Sequence, residues 1–66
     1  MYVHTTRRIL ITGTAVDAGT EVRAKRTQMA SFGPRVLVHL VGVGETWVAP
    51  SALDVPLGDL PAPRGI

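Results

Sequence analysis

Apolar and polar residues alternate along this chain in short runs, which is the pattern of half-buried β-strands. The first run, residues 8–16, is rich in β-branched side chains and predicts a strand. Gly13 interrupts this run and indicates a bulge or a sharp bend. Residues 17–20 follow as a turn, because Asp and Gly tolerate the backbone angles that turns require.

The segment 21–31 supports two interpretations. It contains good helix formers between a polar cap and a Gly-Pro stop, but a helix here would have a poor apolar face. As a strand it places Val22 and Ala24 inward and the cationic residues between and beside them outward. We favour a strand over residues 21–27 followed by a loop, and a helix stays open as the alternative.

The segment 35–41 is apolar on both faces, which predicts a strand covered by its own core and by something else. Residues 42–45 supply a glycine turn, and residues 46–49 return as the second strand of a hairpin. Pro50 ends that strand because it lacks a backbone donor. A 3₁₀ turn then places Leu53 at one end of the core, and residues 55–57 are expected to form a short closing strand.

These elements predict an all-β fold, a small SH3-like barrel of four to five antiparallel strands with a 3₁₀ turn before the last strand. The barrel is expected over residues 8–57. Residues 1–7 are expected to form a flexible basic arm, because they lack a cap or a periodic pattern. Residues 58–66 are rich in Pro and Gly and are expected to form an extended tail.

The final hairpin has a recognisable arrangement: Val38 and His39, then Gly42, then Glu-Thr-Trp-Val at 45–48, followed by Pro50 and Leu53. It resembles the last hairpin of Tudor and chromo-barrel domains. That resemblance implies an SH3-like barrel, and those families bind methylated lysine or arginine in an aromatic cage, or nucleic acid through basic loops. Because this chain has only three aromatic residues, it lacks the cage.

Residues 19–23 and the turn at 50–53 also resemble the plasmid-borne type II dihydrofolate reductases, which are tetramers of SH3-like barrels. The resemblance ends at the reaction site. The Val-Gln-Ile-Tyr stretch that lines the pore of that family is replaced here by the residues at 45–48. Reductase activity is therefore not expected.

Length and composition restrict how such a fold is stabilised. A chain of 66 residues forms one domain and buries only about 60% of its unfolded surface. With no cysteine and two histidines, neither a disulfide nor a zinc site of the usual kind is expected. Self-association through the doubly apolar strand is the remaining way to bury more surface, so a homo-oligomer is predicted.

The length of the apolar runs predicts where in the cell the protein is located. The longest apolar run, residues 36–43, is far shorter than the roughly 18 residues that a membrane span needs. The first residues lack the apolar core of a secretory signal, so a cytoplasmic protein is expected. The preference for Arg, Ala, Val, Gly and Pro is typical of G+C-rich coding, as in actinobacteria or their phages.

Charge is unevenly distributed along the chain. The net charge is +2, but residues 1–35 hold six basic and two acidic side chains, and residues 36–66 hold one basic and three acidic ones. A cationic surface attracts polyanions regardless of sequence, so DNA or RNA is the predicted partner. The alternative is a solvated face that keeps the domain soluble. The predicted nucleic-acid-binding residues are Arg7, Arg8, Arg23, Lys25, Arg26 and Arg35.

A second set of residues predicts a protein interface, which would make the chain an interaction subunit or an inhibitor. Its members are Leu37, His39, Val41 and Trp47. Trp47 is either a stacking platform or a core or interface residue, and His39 is either a buried hydrogen-bonded group or a subunit contact. No nucleophile elbow, Walker loop or HExxH motif is present, so no catalytic residue, cofactor or metal is expected and the function predicted is non-enzymatic binding.

Overall fold

The structure is a computed structural model that describes residues 1–61. Within this range the chain forms six β-strands and two short 3₁₀ helices, with no α-helix. No helix among residues 1–61 is both long enough and apolar enough to cross a membrane. The strands are β1 (Tyr2–His4), β2 (Ile9–Ile11), β3 (Thr14–Val16), β4 (Glu21–Ala30), β5 (Gly33–Leu40) and β6 (Gly44–Val48), and the 3₁₀ helices are Pro50–Ala52 and Leu57–Asp59.

The strands form two antiparallel sheets. One has four strands in the order β1-β4-β5-β6, and the other is the β2–β3 hairpin. The all-β, antiparallel class predicted from the sequence is therefore confirmed. The predicted closed barrel is wrong, because the backbone ladders of the described residues do not join into a ring.

The predicted closing strand at residues 55–57 is also wrong. Pro56 has no backbone donor, and Leu57 begins a 3₁₀ helix. The C-terminal part of the chain reaches the β1 edge of the sheet before residue 55, through a single β-bridge between Leu53 and Thr5. The Thr6 amide donates to the Ala52 carbonyl at 2.8 Å and reinforces this contact.

The expected arm at residues 1–7 is largely part of the sheet. β1 pairs with the start of β4, with Val3 opposite Val22, and the Val3 side chain is only 1% exposed. β1 has only three residues and one inward side chain, Val3. One inward residue is too few to reveal the alternation that identifies a strand in a sequence. The pairing of β1 depends on a strand that begins at Glu21, so the local pattern could not predict it.

The segment 8–16 was predicted as one strand and forms two. Thr12 and Gly13 have φ angles of 48° and 84°, and two consecutive positive φ values are typical of the tight turn of a β-hairpin. The bend indicated by Gly13 is thus confirmed. The predicted alternation holds within β2, where Ile9 and Ile11 are buried and Leu10 is exposed.

The ambiguous segment is a strand, and β4 runs further than predicted, to Ala30. Its pairing with β5 shifts register between Ala24 and Arg26, which is a β-bulge. Before the bulge Val22 and Ala24 are buried, and after it the next buried residue is Thr27, three positions beyond Ala24. The bulge therefore turns two consecutive residues, Lys25 and Arg26, toward solvent.

The core lies between the inner face of the four-stranded sheet, the β2–β3 hairpin and the first 3₁₀ helix. β5 contributes Val36 and Val38 to it, while Leu37 lies on the opposite face of the sheet. All members of the core are aliphatic: Val3, Ile9, Ile11, Val16, Val22, Ala24, Val36, Val38, Val48, Ala52, Leu53 and Leu60.

The assignment of β1 to the sheet can be tested at its one inward position. Val3→Ala should lower the free energy of unfolding by about 2 kcal/mol, because it removes buried methyl groups and leaves a cavity. Tyr2→Ala, at the exposed neighbouring position, should change it by less than about 0.5 kcal/mol. Urea denaturation measures both, and equal small effects would show that residues 1–7 do form a loose arm.

The junction between the two sheets provides a second test at Gly44, which has a φ angle of 137°. A Cβ atom there would lie 2.9 Å from Thr12 Cγ2 on the β2–β3 turn. Gly44→Ala should therefore destabilise the fold by about 1–3 kcal/mol. The control, Gly33→Ala, has a φ of 118°, also outside the region that other residues favour, but no neighbour within 4 Å, so it should cost less. An equal loss in thermal unfolding would argue against this close contact.

Candidate functional site

The side of the four-stranded sheet that points away from the core is called here the outer face. Its residues follow from the strand register and alternate with the buried ones. The face carries more cationic than acidic side chains. Its chemically distinctive members are Tyr2, Glu21, Arg23, Lys25, Arg26, Arg35, Leu37, His39, Glu45 and Trp47.

Two rows cross the strands of the outer face. In one row Tyr2, Arg23, His39 and Glu45 lie opposite one another on β1, β4, β5 and β6. In the next row Arg26, Leu37 and Trp47 lie opposite one another. Side chains directly opposite on adjacent strands are close enough to interact, so each row is a continuous surface.

Trp47 lies on this surface and outside the core. Its side chain is 40% exposed, and the Arg26 guanidinium carbon lies 5.6 Å from the centre of its ring. Leu37, between them in the row, is only 9% exposed. The sequence predicted that β5 is covered on both faces. At Leu37 the outward face is covered by Arg26 and Trp47, its neighbours on the same sheet.

Lys25, the residue at the bulge, contacts a carboxylate on β6, which is one edge strand of the sheet. The Lys25 Nζ atom lies 2.6 Å from Glu45 Oε2. This hydrogen bond, together with the positive charge, lowers the pKa of Glu45 below its ordinary value. Arg23 and Arg26 form no ion pair with a carboxylate among residues 1–61. Their charges are therefore available to a ligand.

The chain's three aromatic residues are all exposed, and each has an arginine beside it. Tyr2 is 68% exposed and lies opposite Arg23. Phe32, in the β4–β5 turn, is 70% exposed, and Arg35 lies 4.2 Å from the centre of its ring. Trp47 and Arg26 form the third such pair. Tyr2 and Phe32 were missed as site residues from the sequence.

The composition contained a signal that could have identified Tyr2 and Phe32 as surface residues. The aliphatic residues suffice to fill a small core, and aromatic residues make up only 5% of the chain. Because Tyr2 stands in a segment expected to be an arm and Phe32 in one expected to be a loop, neither could be assigned to a face without the strand pairing.

A depression of about 310 Å³ opens at one end of the outer face. Tyr2, Arg23 and His39 line it, together with Val41 from the turn after β5. This volume is at the low end of that of small-molecule sites, about 300–1,000 Å³. Tyr2 and His39 therefore share a concave surface. Val41, predicted on one face with Leu37, lies beyond the end of the strand.

The structure divides the predicted cationic residues into two groups. Arg23, Lys25, Arg26 and Arg35 lie on the outer face. Arg7 and Arg8 lie in the connection to β2, and Arg8 Nη2 is 3.1 Å from Asp17 Oδ1 beside the β2–β3 hairpin. β2 pairs with β3 and not with β4, so these two arginines do not share a face with the other four.

Comparison of the chain with protein-family models, with curated proteins and with solved structures finds no match. Within the part of the chain that the structure describes, no group of three or more His, Cys, Asp or Glu residues is placed to hold a metal ion. The functional interpretation therefore depends on the geometry of the outer face alone.

The Lys25–Glu45 contact can be tested by its effect on titration. Because the folded pKa of Glu45 is lowered, its contribution to stability is present above the unfolded pKa and is lost as the pH falls through the folded one. An NMR titration should place the pKa of Glu45 below its ordinary value. Lys25→Met should raise it again, and an unchanged titration in that variant would rule out the contact.

Proposed function

We propose that this chain is a non-enzymatic binding module of SH3-like type that binds nucleic acid through the outer face of its four-stranded sheet. The observation that carries the proposal is the grouping of four cationic side chains with exposed aromatic rings on one face. Two antiparallel sheets around one small core, with a 3₁₀ turn after the last hairpin, support the SH3-like type.

Electrostatics supports a polyanion as the ligand. Four cationic side chains stand against two acidic ones, Glu21 and Glu45, on the outer face. Lys25 neutralises Glu45 across the sheet. The guanidinium groups of Arg23, Arg26 and Arg35 are then left to contact phosphates. Such contacts release counterions, so the affinity should fall as salt is added.

Protein binding is the second candidate, and the tip of the β4–β5 hairpin favours it. Met29 and Phe32 are 57% and 70% exposed there, beyond the residues that pair with β1 and β6. Large apolar side chains exposed at the end of a hairpin can be covered by a protein partner. This candidate includes self-association. Self-association and a cytoplasmic location remain predictions from the sequence.

The proposal is tested by two charge reversals that change the net charge equally. Arg23→Glu with Arg26→Glu places negative charge on the outer face, and Arg7→Glu with Arg8→Glu places it in the β1–β2 connection. The first pair should weaken binding of a labelled oligonucleotide at least about tenfold, because it removes phosphate contacts and repels the backbone. The second pair should have a much smaller effect. Fluorescence anisotropy measures both, and circular dichroism checks the fold.

Equal losses in the two double variants would show that only net charge matters and would reject the outer face as the site. No binding by the parent chain, even at low salt, would reject nucleic-acid binding altogether. Association with a protein that persists at high salt would favour the second candidate, since apolar contacts respond weakly to ionic strength.

A further inference from the structure

We propose that the nucleic acid on the outer face is single-stranded, with unpaired bases stacked on Trp47 and Tyr2. This inference rests on the proposed function and specifies its ligand. Phosphate contacts alone would suit a duplex as well as a single strand. The distinction comes from the aromatic rings, because a ring face can receive a base only when that base is not already stacked in a helix.

The exposure of the aromatic residues is unfavourable for folding and needs a reason. A buried aromatic side chain removes about 150–250 Å² from water and usually dominates a small core. Here the core is aliphatic, and the two rings of the sheet, Tyr2 and Trp47, are 68% and 40% exposed. Stacking against bases would cover them, with Arg23 and Arg26 beside them to contact the adjoining phosphates.

The three arginine–aromatic pairs are not equivalent. Arg35 lies 4.2 Å from the centre of the Phe32 ring and so occupies one face of it. Arg26 is further from the Trp47 ring, at 5.6 Å, and its long side chain can move to a phosphate. Tyr2 borders the depression that Arg23 and His39 also line, which provides a concave place for one base. We therefore assign the stacking positions to Trp47 and Tyr2.

The separation of the two rings fits several nucleotides. Tyr2 is on β1 and Trp47 on β6, at opposite edges of the sheet, so three strand spacings or about 14 Å lie between them. At the roughly 3.4 Å rise of a stacked strand, this corresponds to about four or five bases. A duplex laid across the sheet would offer only its backbone, whereas a single strand can turn a base toward each ring.

The number of free cationic groups agrees with this ligand. With about three phosphate contacts, the slope of log affinity against log salt for a single strand should be about −2. Such a shallow slope gives little affinity by electrostatics alone. A single strand adds base stacking, which a duplex cannot, and should therefore bind more tightly at physiological salt.

The single tryptophan of the chain provides the probe, since Trp47 fluorescence reports only on the outer face. The parent chain is titrated with oligo(dT) and oligo(rU) of about eight nucleotides and with a DNA hairpin duplex of the same charge. The single strands should quench the fluorescence with saturation, and the duplex should not. The DNA and RNA arms show which sugar is preferred, and quenching by either supports the inference.

Variants separate stacking from charge. Trp47→Ala should weaken binding of a labelled single strand by about tenfold to a hundredfold, because one stacked base is lost. Trp47→Phe should restore most of the affinity. Leu10→Ala, at an exposed apolar position of the other sheet, should leave it unchanged. If Trp47→Ala loses its circular dichroism signal, Tyr2→Ala serves instead, since that ring is the more exposed one.

The outcomes distinguish this inference from the proposed function. A duplex that binds as tightly as the single strands, without quenching, would overturn the single-strand inference while nucleic-acid binding stands. Full affinity in both Trp47→Ala and Tyr2→Ala would also overturn it. Failure of every nucleic acid to bind the folded parent at low salt would remove the proposed function itself.

Discussion

The β-bulge in β4 is the constraint on which the arrangement of this molecule depends. In a regular strand Val22, Ala24 and Arg26 would all face inward, and an arginine would enter an aliphatic core. Burying an unpaired charge there is costly. The extra residue between Ala24 and Arg26 shifts the alternation, so Thr27 faces inward instead and Arg26 faces outward. The same shift leaves Lys25 outside as well, and two cationic residues become neighbours on one face.

The contacts of the outer face follow from that shift. Arg26 comes into the row of Leu37 and Trp47, and Lys25 reaches Glu45. Exposed ion pairs and cation–π contacts each contribute little to stability, about 0–1 kcal/mol. Stability therefore does not account for three aromatic residues left in solvent beside arginines. The ligand that we propose, an unpaired nucleic-acid strand, is both anionic and aromatic, and its recognition would account for both properties.

The remainder of the fold holds this face in place with few contacts. The β2–β3 hairpin covers the core and touches the start of β6, where the Thr12 hydroxyl donates to the Val43 carbonyl. The other edge is held where Leu53 bridges to Thr5 next to β1. These connections take the place of a continuous hydrogen-bonded ladder. Among residues 1–61, the two sheets therefore enclose an aliphatic core without a closed ring of backbone hydrogen bonds.

The sequence by itself determined the all-β class, the strand character of β4 and β5, the bend at Gly13 and the existence of a cationic group in the first half. These features are local, because period-two alternation and turn chemistry act within a few residues. The tertiary structure alone decided that Tyr2–His4 form a strand, that Arg26 faces outward, and that Arg7 and Arg8 lie apart from the other cations. The first two depend on the register of a partner strand, which is set by the side chains that meet across the sheet, and the third depends on the pairing of β2 with β3 and not with β4.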